Sequence, residues 1–143
     1  MITITRGNIF NAQHMALVNP VNCMGVSGAG LAKVFKERFP ENFEAYRQTC
    51  LRKELRIGKV FVFETGGVQI INCPTKYHWR DNSTVEIVTA GLRAIAELSL
   101  PSLAIPALGC GLGGLEWSIV KPLMVRELAL MNIPITIYQP HYT

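Results

Sequence analysis

Two glycine-bearing stretches decide the fold: Asn22-Cys-Met-Gly25-Val-Ser-Gly28-Ala-Gly30 and Gly109-Cys-Gly111-Leu-Gly113-Gly114. Each follows an apolar run and precedes a segment with helical spacing, which predicts a strand-to-helix turn. Loops of this kind let main-chain N–H groups approach an anion without a Cβ in the way, and the following helix adds its positive dipole end. Two such loops predict a diphosphate ligand and make a nucleotide the first candidate. Glycines that serve only tight turns are the alternative.

Hydrophobic periodicity elsewhere predicts alternating strands and helices. Apolar and alternating runs predict six strands, over residues 2–5, 15–21, 59–63, 68–71, 103–105 and 135–138. Helical spacing predicts four helices, over 29–39, 41–53, 83–96 and 116–131, the third opened by a capping box of Ser83 and Glu86. This alternation is typical of a mixed sheet with helices on both faces, which binds ligands at the carboxyl ends of its strands.

Length and composition predict one domain, residues 1–143, in the cytoplasm. The chain is 49% hydrophobic and 17% charged, which suits a single core of ordinary size. Its first residues lack the basic and apolar regions of a secretory signal, and no apolar run is long enough to span a membrane. The net charge of +4 is compatible with an anionic ligand or with nucleic acid.

The four cysteines do not predict a metal site. They are widely spaced, form no C-x-x-C pair and have no nearby histidine that would complete a ligand set: Cys23, Cys50, Cys73 and Cys110. We therefore expect no metal, and we interpret the cysteines as small buried residues, with a place at the edge of a ligand site as the alternative.

The second glycine loop also fits G-x-G-x-x-G between a strand and a helix, the pattern of a dinucleotide-binding unit. That unit needs an acidic residue at the end of the next strand, but the strand here ends in Tyr138-Gln139. Neither glycine loop contains the G-x-x-x-x-G-K-[ST] pattern of P-loop proteins. A conventional dehydrogenase and a P-loop NTPase are therefore both disfavoured.

A third segment, residues 72–81, concentrates reactive side chains after a predicted strand. Lysine, histidine, tryptophan, arginine and aspartate within six residues provide a nucleophile or cation, a proton carrier, a stacking surface and an anion clamp. A solvated loop with one half-buried tryptophan is the alternative. Acids are scarce, since Asp81 is the only aspartate, so a glycosidase with two flanking carboxylates is hard to build. Lys76 is the strongest nucleophile available to a ligand at this edge.

Taken together, these segments resemble the macrodomain family, and within it the branch of DarG-type DNA ADP-ribosyl glycohydrolase antitoxins and terminal ADP-ribose protein glycohydrolases. The segments that carry the resemblance cover nearly the whole chain in order: 7–9, 18–32, 39–43, 74–80 and 105–117. The resemblance implies a three-layer α/β/α domain with a six-stranded mixed sheet. It further implies an ADP-ribose site at the strand ends and no cofactor.

The resemblance assigns ligand contacts residue by residue. Asn8 and Ile9 would lie near the adenine, as would Tyr138, and Asn22 would lie near the distal ribose. The diphosphate and distal ribose would be held by residues of the three segments: Gly25, Gly28, Gly30, Leu31, Thr75, Gly109, Cys110, Gly111 and Leu112. Lys76 matches the catalytic lysine of this branch. Gly113 stands where the protein-directed enzymes carry an aspartate, and this departure favours the DNA-directed members.

The implied reaction is cleavage of the bond between C1 of the distal ribose and a nucleobase, chiefly thymine in single-stranded DNA. Because a lysine in water is protonated at neutral pH, Lys76 would need desolvation or a neighbouring cation such as Arg80 to attack C1 as an amine. As an ammonium it would instead stabilise the leaving base or the diphosphate. His78, Trp79 and Arg80 would meet the nucleic acid, with Trp79 stacking on a base. Packing within the loop is the alternative role for Trp79.

Two other functions stay open at this point. One is a module that binds ADP-ribose without hydrolysing it, and the other is a hydrolase of protein-linked ADP-ribose or O-acetyl-ADP-ribose. ADP-ribose and ADP-ribosylated single-stranded DNA are the expected partners, and no membrane is expected. A DarT-type toxin is a further candidate partner, although 143 residues leave no room for the toxin-binding domain that such antitoxins carry.

Overall fold

A computed structural model describes residues 1–141, which form a six-stranded sheet between two layers of helices. The strands lie in the order β1-β6-β5-β2-β4-β3, and only the β3–β4 pair is antiparallel. Their bounds are β1 Ile2–Thr5, β2 Ala16–Val21, β3 Phe61–Thr65, β4 Val68–Pro74, β5 Leu103–Pro106 and β6 Ile135–Tyr138. The predicted six-stranded mixed sheet is therefore confirmed.

Four helices cover the sheet: α1 Gly30–Arg38, α2 Pro40–Leu51, α3 Val85–Ala96 and α4 Trp117–Leu128. Helices α3 and α4 pack on one face through a large core that includes Val88 and Met124. Helix α1 packs on the opposite face through Phe35, and α2 packs beside it through Tyr46. Both faces of the central strands are buried, as parallel strands between helix layers require, so the predicted α/β/α layering is also confirmed.

Some local predictions need correction. The third helix is capped by Thr84, whose hydroxyl accepts a hydrogen bond from the Ile87 N–H at 3.2 Å, and Ser83 is buried instead. The predicted capping box is therefore wrong by one residue. Pro40 was predicted only to end α1, but it also opens α2 at the first helical position, where its missing N–H costs nothing.

Helix α2 is anchored by a buried asparagine network. Asn42 of α2 exchanges hydrogen bonds with Asn72 of β4 at 2.8 and 3.2 Å. Asn72 also accepts from the Asn19 side chain of β2 at 3.0 Å and donates to the Phe61 carbonyl of β3. Buried polar groups need such partners, so this network fixes α2 over three strands at once.

The sheet directs five strand ends to one edge. Strands β1, β6, β5, β2 and β4 are all parallel, so their carboxyl ends meet there. Both glycine loops and the segment that carries Lys76 follow these ends. Within residues 1–141, no helix is long and apolar enough to cross a membrane.

Candidate functional site

The first glycine loop, residues 22–30, is held in place by the side chain of Asn22. The Asn22 amide donates to the Val26 carbonyl at 2.8 Å, and its oxygen accepts from the Met24 N–H at 2.9 Å. The Val26 N–H lies 3.4 Å from the same oxygen. Only 8% of the Asn22 surface is exposed, so these bonds make its side chain the scaffold of the loop, and its contact with the distal ribose stays a prediction.

The Tyr46 side chain of α2 contacts Asn22 and holds it in place. Its hydroxyl lies 2.8 Å from the Asn22 carbonyl and 3.0 Å from the Asn22 side-chain oxygen. Burial raises the pKa of Tyr46 above its ordinary value, so the phenol keeps its proton and remains a donor. The sequence placed Tyr46 on the apolar face of α2 but gave no signal of this contact.

The backbone turns at Gly25, which has a φ of +78°, a conformation that side chains disfavour. A Cβ there would lie 3.4 Å from both the Arg47 Cγ and the Cys50 Cβ, so the loop rests directly on α2. The Arg47 guanidinium forms two hydrogen bonds with Glu44, at 2.8 and 3.0 Å. These bonds lower the pKa of Glu44 to about 2, so the pair stays charged beside the loop.

The second glycine loop, residues 109–114, is held by its backbone and by close packing. The Leu115 N–H donates to the Gly109 carbonyl, and the Ser83 N–H donates to the Gly113 carbonyl, each at 2.9 Å. A Cβ on Gly113 would lie 2.5 Å from the Gly109 carbonyl oxygen and would overlap the Ser83 hydroxyl. Real Cβ atoms do not approach so closely, so no side chain fits at position 113 in this loop conformation.

The two glycine loops face each other across the sheet edge. A Cβ on Gly30 would lie 3.1 Å from the Leu112 Cδ1, so the Leu112 side chain of the second loop covers the start of α1. Leu112 is nevertheless 66% exposed. The predicted ligand residues of both loops are thus brought to one place, with Leu31 half-buried behind Gly30.

Gly28 and Gly111 differ from the other glycines of the two loops. Neither has a positive φ, and a Cβ at either position would meet nothing within 4 Å. Neither backbone conformation nor packing therefore requires glycine there. Close approach of a ligand to the main chain is the remaining physical reason for a glycine in such loops.

The segment after β4 is joined by one backbone hydrogen bond to the end of β2 and by another to the first loop. The Thr75 N–H donates to the Val21 carbonyl at 2.9 Å, and the Cys23 N–H donates to the Tyr77 carbonyl at 2.8 Å. Thr75 is buried, whereas Lys76 between them is partly exposed. The predicted catalytic lysine is therefore held on a fixed backbone at the entrance of the first loop.

The Lys76 ammonium has one weak partner, the Trp79 carbonyl at 3.4 Å. Within the part of the chain that the structure describes, no carboxylate lies within 4 Å of the Lys76 Nζ. The side chain is therefore available to a ligand at this edge, without an acid to lock it.

Residues 78–81 form a closed turn that carries the predicted nucleic-acid contacts. The His78 N–H donates to Asp81, the Asp81 N–H donates back to the His78 carbonyl, and the Arg80 N–H donates to the His78 Nδ1. The Trp79 ring stacks on the His78 ring, with 5.2 Å between the ring centroids. The Arg80 guanidinium lies 4.6 Å from the centroid of the Trp79 ring. The three predicted residues thus form one stacked cluster.

The remaining predicted ligand residues lie near the end of β6. Asn8 caps the short 3-10 helix Ile9–Asn11, since its side chain accepts from the Phe10 N–H at 2.9 Å. The Ile9 side chain is buried in the core with Phe35, so it shapes the floor of this corner rather than its surface. Tyr138 packs against the same core cluster and stays partly exposed.

The cysteines are buried thiols. Burial raises the pKa of Cys23 to about 11 and that of Cys73 to about 12, so both stay protonated at neutral pH. Cys110 lies in the second glycine loop and is 3% exposed, which leaves its main chain as the part that a ligand could meet. Among residues 1–141, no three His, Cys, Asp or Glu side chains cluster closely enough to hold a metal ion.

Two open grooves lie outside the space between the glycine loops. One of about 620 Å³ follows the second loop into the start of α4, where it is lined by residues such as Trp117 and Lys121. The other, of about 460 Å³, lies at the opposite edge of the sheet beside the β3–β4 turn. The second groove contains none of the predicted site residues, so it has no part in the site.

Known proteins similar to this chain share its fold over nearly its whole length. The Macro domain family matches residues 18–124. A DNA ADP-ribosyl glycohydrolase of Mycobacterium tuberculosis is 46% identical, over 98% of this chain and 42% of the relative. The chain thus spans less than half the length of that protein.

Two solved structures are also similar. The macrodomain of Mycobacterium tuberculosis DarG superposes with a TM-score of 0.93 at 44% identity, covering 98% of both chains. Thermosipho africanus DarTG in complex with ADP-ribose gives a TM-score of 0.94 at 38% identity, over 99% of this chain and 42% of that one. The sheet order, the two glycine loops and these matches together show that the chain belongs to the macrodomain family.

Proposed function

We propose that this chain is a DarG-like DNA ADP-ribosyl glycohydrolase that removes ADP-ribose from thymine in single-stranded DNA by a reaction that depends on Lys76. The observation that carries the proposal is the position of Lys76, an ammonium without a carboxylate partner beside two glycine loops at one sheet edge. The similarity to a protein named DNA ADP-ribosyl glycohydrolase supports the same substrate class. Residues 1–143 would act as one domain, in the cytoplasm.

In this proposal the two loops hold the diphosphate of ADP-ribose between them. Gly28 and Gly111 leave open space above their main chains, and backbone N–H groups in such loops are good anion donors. The matching DarTG structure contains ADP-ribose, which supports this ligand. Asn22 would act by holding the first loop in shape, and Leu112 would cover the ligand from the second loop.

The reaction would break the bond between C1 of the distal ribose and a ring nitrogen of the base. Water supplies the hydroxyl that ends on C1 and the proton that ends on the base, so the products are ADP-ribose and unmodified DNA. Lys76 would either attack C1 as an amine, which water later displaces, or stabilise the departing base as an ammonium. The partly exposed Lys76 has surroundings that favour neither role.

The substitution Lys76→Arg separates these two roles. Arginine keeps the positive charge but does not become a neutral amine near neutral pH. If Lys76 is the nucleophile, we expect Lys76→Arg to be as inactive as Lys76→Ala in single-turnover assays. Substantial turnover by Lys76→Arg alone would establish the electrostatic role instead.

Packing at Gly113 disfavours one alternative function, that of a hydrolase of protein-linked ADP-ribose with an aspartate in the second loop. Because a Cβ there overlaps Ser83 and lies 2.5 Å from the Gly109 carbonyl, an aspartate would have to rebuild the loop. The chain would therefore hydrolyse its substrate without a carboxylate from position 113. A partner DNA ADP-ribosyl transferase of DarT type belongs to the same proposal, through an antitoxin role.

The test uses a single-stranded oligonucleotide that carries one ADP-ribosylated thymine, with loss of the modification followed by gel shift. We expect removal by the wild type and by Lys36→Ala, and none by Lys76→Ala. Lys36 is a suitable control because it is an exposed lysine of α1 whose ammonium lies over the Phe43 ring. Tight binding of ADP-ribose without removal would instead indicate a binding module, and removal from protein alone would indicate the protein-linked hydrolase.

A further inference from the structure

Tyr77 is an exposed aromatic residue next to Lys76 that no other feature of the fold explains. Its side chain is 61% exposed. Within residues 1–141, it takes part in no side-chain hydrogen bond and no ring contact. Aromatic side chains usually stabilise a protein by being buried. An exposed aromatic side chain beside a candidate site is therefore a candidate ligand contact.

The backbone that carries Tyr77 is fixed. Its carbonyl accepts a hydrogen bond from the Cys23 N–H at 2.8 Å, and Cys23 is 7% exposed at the start of the first glycine loop. The preceding residues belong to buried β4 and the following residues to the closed turn 78–81. Tyr77 is therefore a ring on a rigid support, which loses little conformational freedom when it binds.

Trp79, the predicted stacking residue, differs from Tyr77 in this respect. The Trp79 ring is already stacked on His78 at 5.2 Å and carries the Arg80 guanidinium at 4.6 Å. A base would compete with these partners for the Trp79 ring. Among the described residues, the Tyr77 ring has no partner that a base would have to displace. The Tyr77 backbone is bonded to the first loop.

The charges around Tyr77 suit a polyanion. The sequence has no acidic residue before Glu37 and none between Glu64 and Asp81. The carboxylate of Asp81 is engaged by the His78 N–H, and Glu44 is paired with Arg47. Lys76 and Arg80 thus outnumber Asp81, the one carboxylate of their segment, whose oxygen already accepts the His78 N–H, and this excess of positive charge favours phosphate nearby.

We propose that Tyr77 is the stacking platform for the unmodified nucleobase next to the ADP-ribosylated one, and so a specificity-determining residue for a DNA strand over a single modified nucleoside. This rests on the proposed function. Lys76 and Tyr77 are consecutive residues, with Cα atoms about 3.8 Å apart, and the proposal assigns Lys76 to the modified nucleotide and Tyr77 to the next one. The stacking is independent of sequence, since every base has an aromatic face.

The test compares two substrates, ADP-ribosylated thymidine monophosphate and an oligonucleotide with ADP-ribosylated thymine between unmodified bases. We expect Tyr77→Ala to lower kcat/KM for the oligonucleotide about 5- to 150-fold, the range for loss of one stacked base, and to leave kcat/KM for the mononucleotide unchanged. Tyr77→Phe should keep wild-type values on both. Leu130→Ala is the control, because Leu130 is 77% exposed just after α4.

An equal effect of Tyr77→Ala on both substrates would overturn the proposal, and so would no effect on the oligonucleotide. Replacing the neighbouring bases with abasic positions should erase the difference between wild type and Tyr77→Ala. Binding of the labelled oligonucleotide by fluorescence anisotropy, with the same variants, gives the same comparison without turnover. A wild type that binds this DNA through Tyr77 but releases no ADP-ribose would therefore contradict the hydrolase and leave the platform standing.

Discussion

The two glycine loops meet at one sheet edge but are held by different forces. A side chain organises the first loop, because Asn22 bonds to the main chain around Met24 and Val26 and is itself supported by Tyr46. The second loop is held in another way. Backbone hydrogen bonds and the absence of side-chain volume hold it, most strictly at Gly113.

This difference predicts which kind of substitution should disrupt the conformation of each loop. A loop held by a hydrogen-bonding side chain loses its shape when that side chain is removed. A loop held by close backbone packing loses its shape when a side chain is added. Two glycines serve neither purpose, Gly28 and Gly111, and these are the ones that we propose to lie against the ligand.

The largest effect is expected from Gly113→Asp. The new side chain would overlap Ser83 and the Gly109 carbonyl, which should lower the free energy of unfolding by about 3 kcal/mol and abolish ADP-ribose binding. Chemical denaturation and calorimetry measure both. Gly111→Asp is the matched control, since it adds the same charge where a Cβ meets nothing within 4 Å. Equal stability losses in the two variants would show that close packing does not hold the loop.

Asn22→Ala should have the next largest effect. It removes the bonds to Met24 and Val26 and deprives the Tyr46 hydroxyl of one acceptor, at a cost of about 2 kcal/mol. Thermal unfolding of this variant and of Asn82→Ala, which changes an exposed asparagine, provides the comparison. A melting temperature equal to that of the control would mean that the first loop is not organised by Asn22.

A smaller cost is expected from Gly25→Ala. An alanine at a φ of +78° is strained by about 1 kcal/mol, and its Cβ would touch α2 at 3.4 Å. Gly28→Ala, three residues later, has neither handicap and should unfold like the wild type. The pair can be compared in one denaturation series, where a Gly25→Ala variant as stable as Gly28→Ala contradicts the expected strain.

The smallest effect is expected in how the free energy of unfolding changes with pH under alkaline conditions. Burial raises the pKa of Cys23 to about 11 in the fold from 9.0 for a free thiol. The contribution of this protonated thiol is therefore complete below pH 9 and is lost as the pH rises toward 11. Between pH 8 and 10 we expect the free energy of unfolding to fall less in Cys23→Ala than in the wild type. Identical slopes would contradict a protonated thiol in the folded protein.

Much of the fold could be predicted because local sequence patterns determine its strands and helices. Strands such as β2 and β5 are short apolar runs between turn residues, and α3 has regular helical spacing, so type and order followed directly. Boundaries were less certain, since β3 lies two residues later than predicted, at Phe61–Thr65. The capping-box pattern fits Ser83, which has Glu86 three residues later, and not Thr84, which is followed by Ile87 at that spacing. The cap is nevertheless Thr84, because which hydroxyl reaches the helix end depends on the fold.

The parts that could not be predicted depend on contacts between distant residues. Nothing local indicates that Asn42 meets Asn72, or that Gly91 of α3 lets the helix approach the Cys73 thiol, where a Cβ would lie 2.7 Å from the sulfur. The same holds for Asn22, which organises its loop through bonds that no local pattern indicates, while its contact with the distal ribose stays a prediction. Reactive groups can be read from the sequence, whereas the groups that hold them require the fold.

In the proposed ADP-ribose site, the two loops lie on either side of the ligand, with Gly28 and Gly111 beneath it. The first experiment is calorimetric titration of ADP-ribose into the wild type, Gly28→Ala and Gly111→Ala, with thermal unfolding of each. We expect wild-type unfolding temperatures for both variants and ADP-ribose affinities lowered at least about tenfold, a change of about 1.4 kcal/mol. Wild-type affinity in both variants would contradict this placement of the two glycines.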